Sequence, residues 1–194
     1  MTVVNEPFDS AAFRAAMGRY GTGVVVIAAT VDGAPHGMAV NSFTSVSLDP
    51  PLVAFCAAHT SSTWPALRRA TGWAVSVLAA DQEDVCRTFS RKGADRFAAV
   101  PWTTSPGGHP VMADALAWLD LTPHAIHPAG DHELVLGRVT ALGVEREAAD
   151  PLMFFRGSFR ALSPTETGPP TPLTRTLDVD SPFFAVLNAH LDPH

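Results

Sequence analysis

The chain is poor in the features that would place it outside the ordinary soluble globular class. It has two cysteines, Cys56 and Cys86, far apart and without metal-ligand spacing, so they read as free thiols rather than a disulfide or a zinc pair. It has one lysine, Lys92, against twelve arginines, and no basic block, while the net charge is −6. That balance argues against nucleic acid or an anionic membrane as a partner. The apolar runs, such as Val24 to Ala29, are far too short to span a bilayer. The opening "MTVVNEPFDS" shows no charged segment followed by an apolar one, so a cytoplasmic location is expected. No Gly-rich phosphate loop, G-x-S-x-G elbow or Rossmann fingerprint occurs. His124 and His127 are three apart but lie between prolines, with no third ligand to complete a metal set.

What is present is a chain of 194 residues, 46% of them apolar and 16% charged, enough for one domain with a sizeable core. The spacing of Phe13, Ala16, Met17 and Tyr20 predicts a short helix over 9–20, capped by Asp9 or Ser10. "VVVIAATVDGAPHGMAVNSFTSVSL" predicts a hairpin turning at Asp32-Gly33, and "LVAFCAA" a third strand after Pro50-Pro51. A helix from "SSTWPALRRAT", a strand from "WAVSVLA" and a helix opening at Asp81 follow. Residues 98–113 read as loop. Two long strands then meet at Pro128 to Asp131, and "PLMFFRGSFRAL" supplies a last strand in which Gly157 suggests a bulge or the close approach of a ligand. Six or so strands with short helices and no βαβ alternation imply a small mixed β-barrel. After Ser163 the chain turns Pro- and Thr-rich, a linker ending in "PFFAVLNAHL", which reads as a segment that docks on its own or a neighbouring subunit.

Four stretches carry candidate chemistry, each with a plainer alternative. "HGMAVNSFTSVSLDPP" (36–51) lines one strand with small polar side chains, which would let a flat polar ring lie close to the backbone; a solvated edge strand is the alternative. "HTSSTW" (59–64) crowds hydroxyls at a helix start, where unpaired N–H groups suit a phosphate, or where they merely cap the helix. Arg91, Lys92 and Arg96 offer a second phosphate contact or a solvated helix end. His132 follows a Gly-Asp turn at the mouth of a strand, as a site residue or a solvated one.

In their order along the chain, "FRAAMGRYGTGVVVIAA", "HGMAVNSFTSVSLDPPLV", "SSTW", "FSRKGADRF", "GDHELVLGRV" and "DPLMFFRGSFRAL" closely resemble the flavin reductase family. The resemblance runs from about Phe8 to Leu162. It implies a mainly β fold with inserted helices, an FMN-binding split β-barrel of Greek-key character with short peripheral helices. It divides the chain into an N-terminal arm (1–7), the barrel domain (8–162) and a tail (163–194). The implied activity is hydride transfer from NADH or NADPH to FMN or FAD, in a homodimer that supplies reduced flavin to a partner monooxygenase. A non-catalytic flavin-binding protein and a flavin-bound oxidoreductase acting on an organic substrate are the competing readings.

The resemblance also implies roles. Ala39, Val40, Asn41, Ser42 and Phe43, with Ser45, Val46 and Ser47, would line the flavin ring and ribityl chain. Thr60, Ser61, Ser62 and Thr63 would hold its phosphate, and Phe89, Ser90 and Lys92 would close that side. His132 would lie near the nicotinamide, and Gly157, Ser158, Phe159 and Arg160 would contact NAD(P)H. Phe159 stands where many relatives have tyrosine, and Ser158 where a basic residue is frequent, which leaves the nucleotide preference open.

Overall fold

A computed structural model describes residues 7–91 and 95–162. In chain order its elements are α1 (Ser10–Met17), β1 (Thr22–Gly23), β2 (Val25–Val31), β3 (Ala34–Val40), β4 (Thr44–Leu48), β5 (Pro51–Ala58), α2 (Trp64–Leu67) and β6 (Trp73–Val77). There follow α3 (Glu83–Ser90), β7 (Trp102–Thr104), β8 (Pro110–Met112), β9 (Ala117–Ala129), β10 (His132–Val144), β11 (Met153–Phe155) and β12 (Ser158–Arg160).

The main sheet has the order β3-β2-β6-β9-β10-β5-β4, and every pairing in it is antiparallel. Its two edge strands, β3 and β4, are consecutive in the chain, joined only by Asn41 to Phe43. Seven flat strands would hold the edges about 29 Å apart, yet the link reaches at most about 15 Å. The sheet therefore curls until its edges approach without pairing, which is a split barrel. The chain changes edges at Asn41 to Phe43, so the expected single strand over 36–48 is two.

Other expectations need similar correction. Residues 98–113 hold the hairpin β7–β8, too short and too Pro- and Gly-rich to show a period. Asp81 does not cap α3; its carboxylate accepts two hydrogen bonds from Arg146, both at 2.9 Å. Gln82 takes the cap position instead, its side chain bonding Ala79 N and Ala113 O. Gly157 is no bulge: with Arg156 it forms the tight turn of the β11–β12 hairpin, both at positive φ (74° and 53°). That hairpin pairs with β1 in a separate three-stranded sheet. The β2–β3 turn at Asp32-Gly33 is as expected, also at positive φ (53° and 77°).

The run Val24 to Ala29 is apolar throughout because both of its faces are buried. Val25, Ile27 and Ala29 point into the barrel core with Phe55, Trp64, Trp73 and Val135. Val24, Val26 and Ala28 point outward beneath α3, meeting Cys86, Phe89 and Leu78. Inside, the rings of Trp64 and Trp73 both stand edge-on to Phe55, at 5.8 and 5.9 Å. The Trp73 indole N–H donates to Leu67 O at 2.8 Å, so α2 is held to the barrel through a buried polar contact. Among the described residues, no helix is long and apolar enough to cross a membrane.

Candidate functional site

A cavity of about 400 Å³ opens where the end of β3, the α2 junction, the end of α3 and the start of β10 meet. It brings together Ala39, Val40, Asn41, Ser42, Thr60, Ser61, Ser62, Thr63, Phe89, Ser90 and His132, as expected from the sequence. It also takes Met38, Cys56, Ala57, Ala58 and Arg96. Phe43 does not line it and instead packs against the barrel core. Ser45, Val46 and Ser47 also lie outside it, on the edge strand β4. Lys92 falls outside the described residues. Gly157, Ser158 and Arg160 are exposed and absent from the wall; Phe159 lines a neighbouring recess instead.

The hydroxyls have unequal duties. Ser42 Oγ accepts from Cys56 N at 2.9 Å and donates to Cys56 O at 3.3 Å, pinning the crossover segment to β5. Ser61 Oγ accepts from Thr63 N and Trp64 N at 3.3 and 3.1 Å, so the hydroxyl that caps α2 is Ser61, and the side chain of Thr63 at the cap position itself makes no such bond. Thr63 Oγ1 accepts from Arg96 Nη1 at 2.8 Å. Thr60 and Ser62 stand exposed on the cavity wall.

Arg96 is the arginine or lysine of this wall among the described residues. Its guanidinium donates to Gly37 O at 2.6 Å, to Thr63 Oγ1, and twice to Arg91 O. These acceptors are neutral, and no described carboxylate pairs with it. Burial pushes its pKa down, the expected cost of holding an uncompensated charge away from water. The sequence places three cations within six residues; of the two that are described, Arg96 turns inward, fixed by the Gly37 carbonyl and Thr63, which no local pattern reveals. Gly37 itself has no room for a side chain, since a Cβ would meet the Phe89 ring at 2.8 Å.

His132, the first residue of β10, lines the same cavity and pairs with Ala58 of β5. Its Nδ1 lies 2.6 Å from Asp131 Oδ1. The hydrogen bond from His132 holds the Asp131 carboxyl below its usual range. With Nδ1 engaged, Nε2 is the ring nitrogen left for a ligand. The next residue, Glu133, accepts from the Trp64 indole N–H at 2.6 Å and from Arg68 Nε at 3.1 Å.

The donor set suits a phosphorylated aromatic ligand. The cavity wall combines the uncompensated positive charge of Arg96, a cluster of hydroxyls, small residues with accessible backbone and an imidazole. The volume lies within the usual range of about 300–1,000 Å³ for a ligand pocket. No group of three or more metal-ligating side chains occurs among the described residues.

Residues 17–163 match the flavin reductase like domain. The chain is 40% identical over 167 residues to the reductase subunit of a flavin-dependent monooxygenase of Rhodococcus jostii, covering 86% of this chain and 85% of that one. It is 42% identical over 158 residues to a flavin reductase of Pseudomonas putida, covering 81% and 92%. Among solved structures, an NADH:FAD oxidoreductase of Streptomyces globisporus superposes with a TM-score of 0.80 at 35% identity, over 85% of this chain and 99% of that one.

Proposed function

The chain belongs to the flavin reductase family, and on that premise we propose that it is an NAD(P)H:flavin oxidoreductase that supplies reduced flavin to a partner monooxygenase. The observation that carries the reading is the cavity itself, whose wall brings together Arg96, the hydroxyls of 60–63 and His132. Residues 8–162 form the reductase domain; residues 163–194 lie outside the described part, with the sequence-based docking segment among them.

When bound, the flavin supplies the hydride acceptor, and the reducing equivalents come from the nicotinamide. The chain's own residues have binding and positioning to do. Ala39 to Asn41 present backbone N–H and C=O groups to the edge of the ring, and the small side chains allow close approach. Thr60, Ser62 and Arg96 hold the phosphate end, Arg96 by charge and the others by hydroxyl donors. Phe89 and Ser90 close the cavity from α3. His132 Nε2 orients the nicotinamide carboxamide or places positive charge beside the ring that gains electrons.

A second copy of the chain fits the same reading. Among the described residues nothing covers the apolar face of α1: its Phe13 and Met17 are 54% and 51% exposed. The edge strand β4 likewise exposes Val46 and Leu48 beside its unpaired ladder. A homodimer would cover both and bring Ser45 to Ser47 under a neighbouring subunit.

The deciding experiment is anaerobic titration of the purified protein with NADH and NADPH in the presence of excess FMN or FAD. Rapid bleaching of the free flavin is expected. A tightly yellow protein that ignores both nucleotides would exclude a reductase.

A further inference from the structure

The ligand space does not end with the main cavity. A second recess of about 200 Å³ shares Ala39, Val40, Asn41 and Ser90 with it and adds Val24, Cys86, Phe154 and Phe159. Its walls are apolar and partly aromatic. Phe154 and Phe159 meet edge to face at 5.6 Å, which fixes the Phe159 ring. A recess of this size and character accepts one flat ring lying next to whatever fills the main cavity.

The charge around Phe159 is specific. The Arg87 guanidinium lies over its ring, 5.2 Å from the centroid. Arg87 is not free, however. Its Nε donates to Glu83 Oε1 at 2.7 Å, and Nη2 reaches the same oxygen from one helical turn away. Among the described residues, the other nearby cations face elsewhere. Arg160 and Ser158 point away from Phe159 by strand alternation, and the Arg156 guanidinium covers Phe155. The rim of the recess is therefore a neutralised pair, a carboxylate together with a cation already committed to it.

We infer that Glu83 and Arg87 decide which pyridine nucleotide the enzyme takes, with the adenosine half against Phe159 and Glu83 favouring the 2′-hydroxyl of NADH over the 2′-phosphate of NADPH. This rests on the reductase reading. A ribose hydroxyl can donate to a carboxylate, and a carboxylate in that role is a general way of recognising NADH. A 2′-phosphate carries close to two negative charges and would meet Glu83 head-on. The guanidinium that could receive it is occupied. Charge, rather than space, is the discriminator, because the rim is open to solvent.

The test is the ratio of kcat/KM for NADPH to that for NADH in the wild type, in Glu83→Gln and in Glu83→Gln/Arg87→Met, at low and at high salt. Glutamine keeps the helix and most of the side chain but removes the charge and frees Arg87. The ratio is expected to rise about five- to tenfold in E83Q, through a lower KM for NADPH, since one unscreened charge pair near a surface is worth that much. Added salt should shrink the gain, and the double variant should abolish it. A ratio unchanged in E83Q, or a wild type that prefers NADPH, overturns the inference. Failure of the reductase reading looks different: neither nucleotide would then bleach flavin in the wild type, and the inference would fall with it. Thermal melts of both variants confirm that each is folded when assayed.

Discussion

Trp64 donates its indole N–H to Glu133 Oε2 at 2.6 Å, tying the first residue of α2 to the strand that begins with His132. Arg68 Nε adds a second bond to the same oxygen at 3.1 Å. The α2 junction and the start of β10, both in the cavity wall, are thus connected through one carboxylate. The Trp64 hydrogen bond, then Arg68, hold the Glu133 carboxyl below the ordinary glutamate value of 4.5. A carboxylate favoured in the fold contributes stability above its ordinary pKa and loses it as pH falls through the lowered one. Glu133→Gln is therefore expected to melt below the wild type at pH 7, with the gap closing under acid. Flavin affinity should also weaken several-fold, since the junction and the strand lose their common anchor. Melting scans from pH 7 down to below the ordinary glutamate range, with a flavin titration at pH 7, check both.

The sequence discloses this arrangement unevenly, for physical reasons. Val24 to Ala29 is legible because a strand buried on both faces leaves a continuous apolar run. The Asp32-Gly33 turn is legible because only a few residues tolerate two successive positive φ values. The break at Asn41 to Phe43 is not, since alternation continues on both sides of it and local propensity carries no record of which edge a strand joins. The hydroxyls of 60–63 are visible as a cluster, but that Ser61 is spent on the α2 cap depends on the geometry of one turn. Asp81 has the identity of a cap; Arg146, 65 residues away, takes its carboxylate instead. Glu133 and Trp64, 69 residues apart, show no local sign of their contact.

Arg96 should act on the phosphate end and on nothing else. Arg96→Met removes the cation and leaves the Gly37 carbonyl and the Thr63 hydroxyl without their donor. A hydrogen bond to a charged group is worth about 2 kcal/mol, so the FMN dissociation constant is expected to rise about thirtyfold. Riboflavin, which lacks the phosphate, should lose much less. Arg96→Lys should restore part of the FMN affinity, because an ammonium keeps the charge but not the planar fork. Equal losses for FMN and riboflavin in fluorescence titrations would show that Arg96 is only a structural strut.

His132 should matter for the nucleotide rather than for the flavin. It lines the cavity from the start of β10, where it pairs with Ala58 of β5, and Asp131 at 2.6 Å sets which ring nitrogen stays free. His132→Ala is expected to lower kcat/KM for NADH about tenfold or more while the flavin dissociation constant stays within a factor of two, the pattern of a lost positioning contact. Steady-state kinetics at saturating flavin separate the two constants. An unchanged rate and KM for NADH would remove His132 from the mechanism.

His109 lies outside the cavity wall. His109 is 8% exposed, and its Nδ1 accepts from the backbone N–H of Thr30 at 3.4 Å. The same loop is fastened through Ser105 Oγ and Gly107 N to the two oxygens of Asp120, at 2.5 and 2.7 Å. Burial pushes the His109 pKa below its ordinary 6.5, outweighing the attraction of Asp120. The neutral ring is the folded form, because protonation would set a donor against the Thr30 donor. A histidine with a lowered pKa contributes stability that is complete above its ordinary value of 6.5 and is lost as pH falls from there. The wild type should therefore lose melting temperature between neutral and mildly acid pH. His109→Gln, which keeps an acceptor for Thr30 but cannot be protonated, should show a flatter profile over that interval. The Glu133 effect begins only near the carboxylate range, so one pH series separates the two groups. Parallel wild-type and H109Q profiles above that range would mean that His109 titrates no differently in the folded and unfolded chains.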